Sequence, residues 1–260
     1  MLERCGGLVL GGSRGLGFHA ARALASLGCN LVIVARGREA LEKSAKEISE
    51  GFGVDVEPLV GDLRKKGHVE NAVIHAVQTF GRVDAVVAAY GNISREPLTL
   101  REAEWEDWIE AAALYLASTS SLFKALASYN TAKATVILLS SFTVAEPMDP
   151  LIVSDAVRAG LSRLVKSAAR LYPDRIRPIL LILGSFKTPG AMRTLERIAR
   201  SRGESLENVW RREVEMLSPL ARSGGLDEFE EVIRMLVRSP DYMHGATVVF
   251  DGASGRVSWP

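Results

Sequence analysis

The chain has 260 residues, 47% of them hydrophobic, and a formal net charge of +1 at neutral pH. That is enough apolar material for one sizeable core, and the balanced charge excludes a polybasic surface built for nucleic acid or an anionic membrane. No apolar run reaches 18 residues, and the opening MLERCGGLVL is too soon interrupted by Gly-Gly to serve as a signal peptide, so a soluble cytoplasmic protein without nucleic-acid or membrane partners is expected.

In chain order, GLVL (7–10) reads as a first strand and 15–28 as the helix after it. NLVIVA (30–35) and helix 37–51 follow, then VEPLV (56–60) and helix 65–80. DAVVAA (84–89) precedes a long helical stretch, 101–129, and ATVILLS (134–140) precedes another, 153–172. RPILLIL (177–183), helix 227–238 and ATVVF (246–250) complete the series. Strict alternation with near-continuous apolar strands predicts a doubly wound α/β fold, a seven-stranded parallel sheet covered on both faces, in one domain spanning 1–260. Residues 187–222 break the rhythm with extra helical pattern after the sixth strand. Ligands bind at that end of such sheets, so this insert is expected to act as a substrate lid. Its arginines (Arg193, Arg197, Arg200, Arg211, Arg212) either attract an acidic substrate or form a solvated face. Cys5 and Cys29 each precede a strand; two cysteines are too few for a secreted scaffold, and they read as small buried thiols, with a structural bridge as the alternative. Scarce thermolabile amides, with Gln78 the one glutamine, suggest a heat-adapted source. No His, Cys and carboxylate cluster has metal-ligand spacing.

The stretch GGSRGLG after the first strand puts Gly11, Gly15 and Gly17 at GxxxGxG spacing. Glycines permit the tight turn and the close approach of a pyrophosphate, while the helix that follows presents free N–H groups to the anion. The expected phosphate holders are Gly11, Ser13, Arg14, Gly15, Leu16 and Gly17, making this a Rossmann-type nucleotide site. An NAD site ends its second strand in a carboxylate that accepts from the ribose 2′-OH. Here that strand ends in Ala35 followed by Arg36, and Arg14 lies inside the glycine turn. Two cations and no anion suit a 2′-phosphate, so NADP(H) is favoured over NAD(H).

With these markers, GDL (61–63), VVAAYG (86–91), LLSS (138–141), LGSFKTPG (183–190) and HGATVVFDGAS (244–254), the chain resembles the short-chain dehydrogenase/reductase family nearly end to end. Its SDAVRAGL and long TPG…VW…PL insert are most similar to a divergent branch resembling 3-oxoacyl-acyl-carrier-protein reductases. The resemblance implies that Asp62 accepts from the adenine amino group with the Leu63 N–H beside it, that Ala89 to Gly91 pass the ribose, and that Gly184 and Thr188 meet nicotinamide and pyrophosphate. Thr188 also reads as a helix N-cap with Pro189 at the first position. The resemblance further implies a homodimer or homotetramer pairing the apolar faces of 109–126 and 157–171.

The departures fall at the catalytic positions. The family's serine is matched by Ser141. Thirteen residues on, where its proton-transferring tyrosine belongs, stands Ser154, and Arg158 replaces the lysine four residues later. The family's helical asparagine falls among Ala111 to Ala113, and its NNAG reads AAYG. On a helix, Ser154 and Arg158 share one face. Arg158 still donates to ribose hydroxyls, but a guanidinium stays protonated and shuttles nothing. Ser154 is a far weaker acid than a phenol. Ser141, Ser154 and Arg158 are therefore the candidate catalytic residues, with Tyr90, Tyr115 and Lys187 as candidate substitute proton donors. The expected activity is NADP(H)-dependent reduction of a carbonyl or oxidation of an alcohol, with a small-molecule substrate, such as a 3-oxoacyl thioester. The alternative is a catalytically silent NADP(H)-binding sensor or partner protein.

Overall fold

The computed structural model describes residues 5–256. Seven parallel strands, β1 (Cys5–Leu10), β2 (Cys29–Ala35), β3 (Val56–Val60), β4 (Ala85–Ala88), β5 (Ala134–Ser141), β6 (Ile176–Leu183) and β7 (Ala246–Phe250), stand in the order β3-β2-β1-β4-β5-β6-β7. Side chains of a strand alternate between faces, so the apolar runs feed two cores. Leu8, Leu10, Val32 and Val34 enter one; Val9, Leu31 and Ile33 enter the other. Helices α1 (Gly15–Ser26), α2 (Arg38–Phe52) and α10 (Leu226–Arg238) cover the second core. Helix α3 (His68–Phe80) and the long helical stretch of 105–129 cover the first, together with α7 (Leu161–Leu171).

The winding reverses at β1, which pairs with β2 on one side and β4 on the other. Leu10 and Ala88 are register partners, so both strands end together and a crevice opens beyond them.

Several expectations change on folding. The apolar runs of β3 and β7 are not buried, because these are the two sheet edges; Pro58 sits in β3, where a missing ladder N–H costs little. The stretch 101–129 becomes α4 (Trp105–Ala111), a π-helical segment (Ala112–Ala117) and α5 (Ser118–Tyr129). The stretch 153–172 becomes α6 (Ile152–Arg158) and α7, broken at Gly160, where a Cβ would come 3.1 Å from Leu116 of the π segment. The insert folds into α8 (Pro189–Arg202), α9 (Leu206–Trp210) and a π-helical turn (Arg211–Glu215), with its own small core of Leu195, Ile198, Ala199, Val209 and Val214. Among the described residues no helix is long and apolar enough to cross a membrane.

The two cysteines are not separate thiols. Cys5 and Cys29 are register partners of β1 and β2, which brings their Cα atoms to 4.3 Å, and they form a disulfide. A bridge spanning a 24-residue separation contributes roughly 3 kcal/mol in the chain-entropy account. Thiol titration of the denatured protein should find no free cysteine before reduction, and Cys5→Ala with Cys29→Ala should lower urea stability by about that amount. Two titratable thiols without reductant would contradict the bridge.

Candidate active site

The turn after β1 is fixed from both sides. The Gly11 and Gly12 N–H groups both donate to Val34 O, at 2.8 and 3.1 Å. Gly11 has φ +91°, and a Cβ there would lie 2.2 Å from Ala89 O; one at Gly17 would lie 2.0 Å from Gly11 O. Only glycine allows this stacking of turn, β4 and helix. Helix α1 then opens with Arg14 as an N-cap that makes no side-chain cap bond and with no acidic residue in its first turn. Its leading N–H groups and positive dipole end are left for an anion.

The turn forms one end of a cleft of about 700 Å³. Gly11, Ser13, Arg14, Gly15, Leu16, Gly17, Arg36, Asp62, Leu63, Ala89, Gly91, Arg158, Gly184 and Thr188, every residue expected at the cofactor, lie along its wall, and so does Ser141. Thr188 caps α8, accepting from Ala191 N–H at 3.2 Å, and stands against Gly15. The residues present fit a dinucleotide: a glycine-stacked turn that opens a helix with free N–H groups, and two arginines, Arg14 and Arg36, along the same wall.

At the same end Asp62 is bound by Arg64, through Nη2 at 2.7 Å and Nε at 2.9 Å. The Arg64 guanidinium holds its carboxyl at about 2, below the usual aspartate range. Arg64 continues to Glu110 at 2.6 Å and Ser94 at 2.9 Å, bracing the loop after β4. His68 Nδ1 accepts from the Asp62 N–H at 3.1 Å. This bracing gave no signal in the sequence, since its members come from separate segments.

At the other end a second chain of polar contacts forms. Ser141 Oγ lies 2.8 Å from the Thr143 hydroxyl, which donates to Asp155 Oδ1 at 2.6 Å. Asp155 pairs with Arg158 Nη2 at 2.9 Å, and Arg158 Nε donates to Ser154 O at 3.3 Å. The guanidinium lies over the Tyr115 ring, 5.4 Å from its centroid. Nη1 has no partner among the described residues and is the donor left for a ligand in the cleft.

Ser154 shares a face of α6 with Arg158, as its spacing requires, but lies behind the cleft wall and is fully buried. Its Oγ donates to Glu96 Oε2 at 2.6 Å and accepts from Tyr115 Oη at 2.9 Å, and its N–H donates to Glu96 Oε1 at 2.8 Å. Glu96 lines the cleft yet is only 3% exposed. Burial pushes its carboxyl up to about 7, against the hydrogen bonds from Ser154 and the charge of Arg158. No motif announces Glu96, which lies 58 residues before its partner.

The candidate substitute donors are placed less well. Tyr115 Oη also contacts Gly91 O at 2.7 Å, and burial pushes the phenol up to about 12. Tyr90 Oη is bonded to Thr119 at 2.5 Å and is likewise raised by burial. Lys187 Nζ sits 5.7 Å from the Trp210 ring centroid. Ala111 closes α4 and Ala112 and Ala113 open the π segment, which carries the buried Tyr115. Of the insert's arginines, Arg193 and Arg197 line the cleft, and Arg197 Nη1 donates to Glu96 O at 2.5 Å. Arg212 is bound instead to Glu204 at 2.7 Å and to Glu213.

The chain is similar over nearly its whole length to known proteins. A family model described as "Enoyl-(Acyl carrier protein) reductase" matches residues 11–253. The chain is 26% identical over 247 residues to an NADP-dependent mannitol dehydrogenase of Hypocrea jecorina, covering 93% of this chain and 88% of that one. It is 26% identical over 266 residues, the full length of both, to a "Probable 2,4-dienoyl-CoA reductase" of Bacillus subtilis. Among solved structures, L-sorbose reductase from Gluconobacter frateurii, complexed with NADPH and L-sorbose, superposes with a TM-score of 0.87 at 23% identity, over 97% of each chain. A variant of actinorhodin polyketide ketoreductase with NADPH gives 0.85 at 22%, over 96% of this chain and 97% of that one. At these identities the solved structures bear on the fold.

The Arg158–Asp155 pair can be tested by stability. Asp155 is almost fully buried, and burial raises its carboxyl, so its charge depends on the guanidinium. Arg158→Met should cost roughly 3–5 kcal/mol in urea unfolding above neutral pH. The loss should shrink as pH falls toward the carboxylate range, where the unpaired Asp155 takes up a proton. A loss under about 1 kcal/mol at all pH values would contradict a buried pair.

Proposed function

The chain belongs to the short-chain dehydrogenase/reductase family of oxidoreductases, and from that premise we propose that it interconverts a carbonyl and an alcohol using NADP(H), with a 3-oxoacyl thioester as the substrate class. The observation that carries this reading is the single cleft joining the glycine turn at one end to Ser141 and Arg158 at the other. The bound nicotinamide would supply or accept the hydride. The N–H groups of Ser13 to Gly17 at the start of α1 would hold the pyrophosphate where Gly11 lets it approach, and Arg14 and Arg36 would hold the 2′-phosphate. Asp62 and Leu63 would meet the adenine; Ala89 and Gly91 would pass its ribose. Arg158, through Nη1, would hold the nicotinamide ribose, with Gly184 and Thr188 beside the ring and phosphates.

Ser141 would donate to the substrate oxygen. Arg193 and Arg197 make the insert a cationic wall over the cleft, suited to the phosphates or carboxylate of an acidic substrate. We read the insert as a lid on that account, and the exposed Trp105, Ile109 and Leu171 as part of a homodimer or homotetramer contact. Magnitudes favour activity without the family's tyrosine. Holding hydride donor and acceptor together is worth about 7–11 kcal/mol, whereas a general acid supplies about 3–5. The rival reading, a silent NADP(H)-binding sensor, draws on one observation: Ser154 and Tyr115 are both sealed behind the cleft wall.

Calorimetry with NADPH and NADH, and loss of NADPH absorbance against 3-oxoacyl thioesters and ketones, test the reading. NADPH should bind more tightly than NADH, and Arg14→Ala should weaken NADPH roughly tenfold while leaving NADH unchanged. Equal affinities indifferent to Arg14 would remove the 2′-phosphate argument. Tight NADPH binding with no turnover would favour the sensor.

A further inference from the structure

The missing tyrosine leaves the reaction without a proton donor, and the geometry points to one: we propose that the Glu96 side chain gives the proton to the substrate oxygen during reduction and takes it back during oxidation. The inference rests on the carbonyl–alcohol reading above. Of the groups that could do this work, Glu96 is the carboxyl that lines the cleft at the Ser141 end while both its oxygens are held from behind. Ser154 supplies both holds, N–H to Oε1 and hydroxyl to Oε2. Ser154 is thus a positioning residue: at the family's tyrosine position it does not reach the substrate but aims the group that does.

The balance is simple. A hydride arrives at the carbonyl carbon, the C=O π pair moves to oxygen, and that oxygen takes the Glu96 proton to become a hydroxyl. The carboxylate left behind recovers a proton from water in the open cleft. A bound nicotinamide would supply that hydride and so be oxidised.

The charged and titratable groups around Glu96 come from three other elements. Arg158 and Asp155 stand on α6, Tyr115 on the π segment, and Arg197 on α8, bonded to the Glu96 carbonyl. Arg158 favours the carboxylate; burial and Asp155 favour the acid. The net result, a carboxyl at about 7, matches an acid–base group working near neutral pH. Tyr115, at about 12, would be a poor acid there.

Reduction should therefore fall as pH rises through about 7, and oxidation should rise through the same midpoint. Glu96→Gln keeps one acceptor for the Ser154 N–H and offers a donor to its hydroxyl, so the fold is expected to survive. It should lower single-turnover reduction by roughly 10²–10⁴ and flatten the pH profile, with NADPH affinity unchanged. Ser154→Ala removes a bond that favours the carboxylate, so the midpoint should move upward. A readout independent of turnover is the infrared band of a protonated carboxyl, which should titrate near 7 in the wild type and vanish in Glu96→Gln. Full rate and an unchanged pH profile in Glu96→Gln would overturn the assignment and leave the oxidoreductase reading standing. So would a wild type whose carboxyls all titrate in the ordinary range. A wild type that binds NADPH but reduces nothing would overturn both.

Discussion

Strand β1 is hydrogen-bonded to β2 on one side and β4 on the other, so the connections leaving β1 and β4 must depart toward opposite faces of the sheet. The gap between them is narrow. At Gly11 the backbone comes so close to Ala89 that a Cβ would stand 2.2 Å from its carbonyl oxygen, and at Gly17 the first turn of α1 presses as closely on Gly11. Side chains are excluded there by contact, not by preference, and what remains is backbone N–H at the positive end of a helix. The rest of the cleft is arranged around that fixed end: Thr188 and the insert stand over it, and the loop after β4 runs beside it.

Charge divides the cleft's carboxyl groups into two kinds. Asp62 is gripped by Arg64. Glu96 has hydroxyl and amide partners but no ion pair among the described residues. The same low-dielectric surroundings therefore act with opposite results. A guanidinium in direct contact outweighs burial at Asp62, and burial outweighs two hydrogen bonds at Glu96. Two carboxyls of one cleft are thereby separated into a permanent anion and a group poised to exchange a proton near neutral pH.

Much of this was legible in the sequence, for reasons that can be named. The strand runs and the glycine turn are local patterns, and their periods survive folding because both faces of the sheet are covered. The depth of a residue is not local. SDAVRAGL shows that Ser154 and Arg158 share a face, but not that the helix sits low enough to bury Ser154 and leave Arg158 at the wall. Cys5 and Cys29 become bridge partners only through the register of β1 on β2. The half-exposed β3 and β7 carry the same apolar signature as central strands, because the signature reports composition and not place in the sheet. Glu96 was illegible for the plainest reason: its neighbours in sequence form an ordinary loop, and what makes it unusual is contributed by α6 and the π segment.

A crystal structure with NADPH and an unreactive analogue of the carbonyl substrate bound together tests the roles of the glycine turn, Ser141 and Glu96 at once. The nicotinamide should lie beside Ser141 and Arg158, with the analogue's oxygen within hydrogen-bond reach of both Ser141 Oγ and the Glu96 carboxyl. An oxygen resting on some other donor with Glu96 turned away, or a cleft that closes its own side chains over the glycine turn and admits no dinucleotide, would contradict those roles.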